Sequence, residues 1–335
     1  MRKVLLVSVF LFQTLNAQSL QGDNFNSYII GNVGTTITPT TVGQGGFRTD
    51  FAGGSNSDAQ IVNIDAAHDK SLQLTGSANA TQTKYMWKDG LPAAWAARIA
   101  GNDILKLEFN LYTGSVTGGS GRGTVLVYDE TTHKTLLGAG YDFASQRAVG
   151  IAYYKNAITG TTGNILFYLE PSTYTYPANT WITLKCTFNK TTGVVTWTSP
   201  GGFISSPPAN YVPAAAGIDP FEMDFVSAVG SGNTVSHITS FDNYTLVATN
   251  NAVLNTKEAA VEENNILVYP NPATDFITIQ AKSQITKVEI VDRAGRSINA
   301  KLDNNKIDLK NLLPGTYVLT IETEGGKFSK KIIKK

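Results

Sequence analysis

The chain has 335 residues, 16% of them charged and 42% hydrophobic, with a formal net charge of +1 and a single cysteine. That length holds one large domain or two ordinary ones, and one cysteine excludes an intrachain disulfide. The near-neutral sum hides a division: residues 18–264 carry 13 basic and 19 acidic side chains, a net of −6, and 265–335 carry 12 and 7, a net of +5, so the acidic main body argues against nucleic acid as its ligand.

Residues 1–17 have the form of a secretory signal: Arg2 and Lys3, then the apolar run Val4–Phe12, then a cut after Ala17. The run is too short for a membrane-spanning helix, which needs about 20 apolar residues. Beyond it, period-two alternation dominates. Leu105, Leu107, Phe109 and Leu111 share one face of a strand, with Lys106, Glu108 and Asn110 opposite. Similar strands are expected at 123–128, 149–154, 164–169, 181–188, 194–198, 221–227 and 237–247. The bridge Asn189-Lys190-Thr191-Thr192-Gly193 has the turn chemistry of a hairpin. Leu91–Ile99 is the best candidate for a short helix. Cys186 shares its parity with Ile182, Leu184 and Phe188, which predicts a buried, inert thiol. Many short strands without intervening helices predict one large antiparallel sandwich over 18–249. Residues 250–264, rich in Ala, Glu and Asn, read as a linker. A second, smaller β-domain over 265–335 follows, with strands at 268–269, 276–280, 287–292, 317–322 and 328–333.

The terminal segment contains Ile-Leu-Val-Tyr-Pro-Asn-Pro (266–272), Thr-Lys-Val-Glu-Ile-Val-Asp-Arg-Ala-Gly-Arg (286–296), Leu-Pro-Gly-Thr-Tyr-Val-Leu (313–319) and the basic end Lys330–Lys335. In this order the motifs resemble the type A C-terminal sorting domain of the type IX secretion system. The resemblance implies a small Ig-like sandwich, passage through the Sec machinery and the type IX outer-membrane translocon, and a secreted or cell-surface destination. It assigns the sorting signal to Tyr269, Pro270, Asn271 and Pro272, to Leu313, Pro314, Gly315 and Tyr317, and to the end including Lys334 and Lys335. The plainer reading is that these prolines stop strands and these lysines protect an edge; both roles are compatible on a folded surface.

The main body is similar to concanavalin A-like jelly rolls of the laminin-G or pentraxin type. The likeness lies in Asp23-Asn24-Phe25-Asn26-Ser27-Tyr28 at its start and Ser240-Phe241-Asp242-Asn243-Tyr244-Thr245-Leu246 at its end. That resemblance implies carbohydrate binding, and in some members calcium where the chain ends meet. Asp23 and Asp242 are the candidate ligands, against the about six to eight oxygens Ca²⁺ takes; alternatively they make Asx-turns. Aromatics outside the strand alternation are the candidate sugar platforms: Trp95, Tyr174 and Tyr176. Only Glu222 and Asp224, two apart on one strand, suggest hydrolysis. The run Phe221–Ser227 resembles the catalytic strand of glycoside hydrolase family 16 but lacks its final acid, so the expectation is a polar outer face with Phe221, Met223 and Phe225 in the core. The three histidines have no metal-ligand spacing and no Gly-x-Ser-x-Gly elbow exists. The sequence therefore predicts an all-β protein, a large antiparallel jelly-roll sandwich followed by a small Ig-like β-sandwich. Its main body is expected to be non-catalytic and to recognise an extracellular glycan or surface. The alternatives are a glycoside hydrolase or polysaccharide lyase on the same fold and a structural surface protein.

Overall fold

A computed structural model describes residues 17–51, 53–201, 204–250, 267–269, 271, 273–280, 284–292, 296–298, 301–303, 305–323 and 326–335. Residues 1–16 of the expected secretory signal, residues 251–266, which include most of the expected linker, and Pro270 and Pro272 lie outside the described residues. The chain divides into two compact units, Met1–Asn255 and Thr256–Lys335.

In the first unit the strands are β1 (Gln18–Asp23), β2 (Gly31–Asn32), β3 (Phe47–Asp50), β4 (Ala59–Asn63), β5 (Lys70–Thr75), β6 (Lys84–Lys88), β7 (Ile104–Tyr112), β8 (Gly121–Tyr128) and β9 (Thr135–Asp142). They continue with β10 (Arg147–Asn156), β11 (Thr162–Tyr168), β12 (Trp181–Asn189), β13 (Val195–Thr198), β14 (Ile204–Ser205), β15 (Tyr211–Pro213), β16 (Glu222–Val229) and β17 (Ile238–Thr249). A short helix, α1 (Leu91–Ala96), precedes β7. One sheet runs β14-β13-β12-β7-β17-β5-β4-β2, with β1 also on β17. The other runs β11-β10-β9-β8-β16-β6-β3, with β15 on β10. The sheets form an antiparallel jelly-roll sandwich. A bulge after Asp242 divides β17: its first part pairs with β5 and its second with β1.

Alternation explains the core. Leu105, Leu107, Phe109 and Leu111 on β7 stand opposite Phe188, Cys186, Leu184 and Ile182 on β12, and all eight are buried. The facing sheet contributes Val125, Val127, Ala139, Tyr141, Met223 and Phe225. Burying each large apolar side chain stabilises the sandwich by about 1.5–3 kcal/mol. Phe221 departs from expectation: it precedes β16 and is 38% exposed. The β12–β13 hairpin needs Gly193, whose φ is +72° and whose added Cβ would stand 2.8 Å from Ala216 N. The helix ends at Ala96, short of the Ile99 expected.

The second unit has β18 (Leu267–Tyr269), β19 (Phe276–Gln280), β20 (Ile285–Val291), β21 (Ser297–Ile298), β22 (Leu302–Asp303), β23 (Lys306–Asp308), β24 (Gly315–Thr323) and β25 (Gly326–Lys334). Two sheets, β18-β19-β23-β22 and β21-β20-β24-β25, enclose Ile277, Ile279, Ile290, Ile307, Leu319 and Ile321 in a small Ig-like sandwich.

Candidate functional site

On the second sheet of the main body, the face turned from the core carries a groove of about 480 Å³. Strand register builds it. Asp50 on β3 lies opposite Tyr85 on β6, Trp87 opposite Asp224 on β16, and Glu222 opposite Tyr128 on β8. Directly opposed residues point to one face, so three aromatics and three carboxyls share it. His133 and Asn164 complete the lining. The turn after β8 is pinned: Asp129 Oδ1 accepts the Lys134 N–H at 2.7 Å, and Asn164 Nδ2 donates to His133 O at 3.0 Å. That holds His133 at φ +49°, edge-on to Tyr128 with ring centroids 6.2 Å apart. On β9, an added Cβ at Gly138 would fall 2.4 Å from Leu126 Cδ2, so a side chain there would have to displace Leu126.

Glu222 and Asp224 do not form the open polar face expected of them. Asp224 is 4% exposed, and no N–H or alcohol donor reaches its buried Oδ1. Burial, and then the Glu222 carboxyl hydrogen-bonded to it, push Asp224 far above the usual carboxylate range. Glu222 is also raised, by burial and by Asp89, with the Asp224 hydrogen bond and His133 opposing. Two adjacent carboxyls that resist ionising together share one proton at neutrality. Tyr85 and Tyr128 are raised by burial and by the neighbouring Asp224, so both remain neutral phenols. The groove thus offers a carboxylic acid, carboxylates, phenols, an indole, an imidazole and an amide.

The aromatic platforms expected from sequence lie elsewhere. Trp95 is 2% exposed, on the same face of α1 as buried Leu91, and its Nε1–H donates to Asp219 Oδ1 at 2.5 Å. Tyr176 is 6% exposed and its hydroxyl donates to Glu170 Oε1 at 2.6 Å. Neither presents an open ring; both belong to the core. Tyr174 is 37% exposed, edge-on to Tyr176 at 5.3 Å, and is not among the residues that line the groove.

Asp23 and Asp242 do not make a ligand set either. Burial alone would raise Asp23, but the Lys88 ammonium at 2.8 Å, the Tyr28 hydroxyl and the Phe25 N–H at 2.9 Å outweigh it and hold it low. Asp242, 1% exposed, is pushed up to about 6 mainly by burial while accepting the Asn243 N–H and amide, both at 2.7 Å. Among the described residues no group of three or more His, Cys, Asp or Glu side chains converges as a metal site. An ammonium already neutralising Asp23 is the wrong neighbour for Ca²⁺, so these residues do not fit the ion.

In the second unit the separated motif segments meet. Asn271 Oδ1 accepts the Ile333 N–H at 2.9 Å, and Ala273 exchanges hydrogen bonds with Ile333 and Lys335, both 2.8 Å. Gly315 pairs with Lys334 across β24–β25. Tyr317 is 8% exposed and anchors the preceding turn by donating to Leu313 O at 2.7 Å. Leu313 is left 78% exposed and Tyr269 48%, with Pro314 also exposed. Residues 267–335 match the family model of the secretion system C-terminal sorting domain. The terminal unit is a type IX secretion sorting domain. The protein is accordingly exported, to the medium or the cell surface, through the type IX machinery of the outer membrane. In this sorting domain Asn271 and Ala273 are thus joined to the basic end, and Gly315 and Tyr317 lie on the strand paired with it.

No curated protein matches the chain significantly. Among solved structures it is similar to the carbohydrate esterase of Shiga toxin-encoding bacteriophage phi24B, with 11% identity, 70% of this chain and 100% of that one covered, and a TM-score of 0.45. It is similar to the alginate lyase Aly36B bound to alginate trisaccharide (13% identity, 68% and 97% covered, TM-score 0.43). A third similar structure is the Trypanosoma rangeli sialidase (10% identity, 67% and 31% covered, TM-score 0.39).

Proposed function

We propose that residues 18–249 are a non-catalytic recognition module that binds extracellular carbohydrate in the groove of the second sheet. The observation that carries this reading is the outward placement of Tyr85, Trp87 and Tyr128 beside the Glu222–Asp224 pair. A sugar ring has an apolar C–H face and a rim of hydroxyls, and aromatic faces flanked by fixed polar groups complement both. The groove volume lies within the range of small-ligand sites. Nucleic acid does not suit a wall of carboxyls.

Against catalysis stands the contact between Glu222 and Asp224, closer than the about 5–5.5 Å a retaining hydrolase uses. A hydrolase or lyase is the second reading, favoured by Asp224 holding a proton at neutrality.

The test is a glycan array with the full chain, run with calcium and with chelator, followed by assay of each hit for newly released ends. Binding without cleavage, unchanged by chelator and reduced roughly 5- to 30-fold by Trp87→Ala for about 1–2 kcal/mol of lost stacking, is expected. Released ends would overturn the non-catalytic reading and move attention to Glu222 and Asp224. Silence across the array would favour a structural surface role.

A further inference from the structure

We propose that the groove selects glycans bearing protonated amines, such as polymers of 2-amino-2-deoxy sugars, over neutral glycans and over those bearing uronic acids. This rests on the glycan reading above and names its substrate class.

Three observations carry it. Asp50, Glu222 and Asp224 all line the groove, and among the described lining residues there is neither Lys nor Arg. The single basic side chain, His133, sits exposed at the rim. Arg48, on the strand beside Trp87, is occupied by Asp89 at 2.8 Å and by Pro39 O at 2.7 Å. Secondly, Asp224 is 4% exposed and its Oδ1 receives no N–H or alcohol donor. A buried carboxyl oxygen without a donor is costly, and a donor that drew this side chain toward the groove would offset part of that cost. Thirdly, Tyr85, Trp87 and Tyr128 line the groove beside the carboxyls, and aromatic faces attract cations through their quadrupole.

An ammonium group brings three donors and a positive charge, matching a lining that carries three carboxyls and aromatic faces and neither Lys nor Arg. A ligand carboxylate brings only acceptors and a like charge. An N-acetylated sugar brings one amide donor and no charge, and falls between the two.

The experiment measures binding of the full chain, in mildly acidic buffer, to four probes: a glucosamine hexasaccharide, its N-acetylated form, an oligogalacturonate of equal length and a lysine-rich peptide. The glucosamine oligomer is expected to bind at least about tenfold more tightly than the N-acetylated one, with no measurable binding of the oligogalacturonate. Glu222→Gln should weaken the amine oligomer at least about tenfold more than the N-acetylated one. Glu108→Gln, on the other sheet and paired with Lys185, should move neither. Trp87→Ala should weaken both sugar oligomers, which places them in the groove.

Equal binding of the amine and N-acetylated oligomers, or binding of the oligogalacturonate, would overturn the charge selection and leave the glycan reading intact. Binding of the peptide but of no sugar would overturn both in favour of a polypeptide ligand. Binding that survives Trp87→Ala undiminished would place the sugar outside the groove and overturn the assignment.

Discussion

Replacing Asp224 by asparagine isolates the proton held in the groove. In the folded protein burial and Glu222 raise this carboxyl above its ordinary value of 3.8; in the unfolded chain it titrates near that value. Between the two the folded state binds more protons than the unfolded state, so stability is highest below the unfolded pKa and falls as pH rises. One proton of difference gives a slope of about 1.4 kcal/mol per pH unit. Between about pH 5 and 7 the wild-type chain therefore loses at most about 3 kcal/mol through this group. The side chain is 4% exposed, so solvent screening removes little of it. The asparagine amide has no proton to hold, and Asp224→Asn should lose that slope. Asp242, raised to about 6 and contributing the same sign, is present in both proteins and cancels. Urea unfolding followed by tryptophan fluorescence reads the quantity directly. All four tryptophans, at 87, 95, 181 and 197, lie in the first unit, so the full chain can be used. The stability difference, wild type minus variant, should fall by about 1–3 kcal/mol from pH 5 to 7. Parallel pH curves would refute the shared proton.

Trp95→Ala should cost about 3–5 kcal/mol of stability by emptying a buried site while leaving glycan affinity intact in the surviving folded fraction; Trp87→Ala should do the reverse, and paired unfolding and binding curves distinguish them. Gly150→Ala would place a Cβ 2.4 Å from the buried Trp197 indole and should destabilise by about 1–3 kcal/mol, read from the same fluorescence transition. Burial raises the Cys186 thiol well above its usual range, so an aromatic disulfide reagent should label it only in denaturant; labelling of the native protein would contradict its burial. Asn271→Ala removes the acceptor of the Ile333 N–H and should destabilise the end of the sorting domain by about 1 kcal/mol, lowering the exported fraction in a secretion assay.

The strands legible in the sequence are those with one buried and one solvated face. β7 and β12 alternate cleanly because Lys106, Glu108 and Lys185 stand outside while Leu107, Phe109 and Leu184 stand inside. β9 was not legible: every residue from Thr135 to Asp142 is buried, and a strand covered on both faces shows no period of two. Trp95 misled for another reason, since a helix of six residues outside the alternation still turns Leu91 and Trp95 to the same buried side. The Leu-Pro-Gly-Thr-Tyr segment was legible as a turn into a strand because proline and glycine fix turns locally, and β24 begins at Gly315.

The groove escaped the sequence because β6 reverses the usual polarity. Lys84-Tyr85-Met86-Trp87-Lys88 alternates, and alternation alone would put the aromatics inside and the lysines out. The structure does the opposite: Met86 enters the core, and Lys84 and Lys88 share its parity. Each lysine has a partner that makes this tolerable. Lys84 pairs with Asp58 at 2.8 Å and donates to Thr75 O at 2.7 Å; Lys88 pairs with Asp23 at 2.8 Å and lies over the Phe47 ring at 4.4 Å. Inward charge normally carries a desolvation cost that a sandwich avoids by placing lysine on the surface. Meeting that cost with two ion pairs sets Tyr85 and Trp87 on the outer face, beside the carboxyls of β16, where packing does not require them. Local rules give way where a site needs its side chains, and the inverted strand is where this fold gives way. The Asp23–Lys88 pair is thus a support of the groove rather than part of a metal site, and Asp23→Asn should weaken glycan binding through the register of Trp87 even in the absence of calcium. An unchanged affinity, with the fold intact by fluorescence, would break the link between the inward lysines and the outward aromatics.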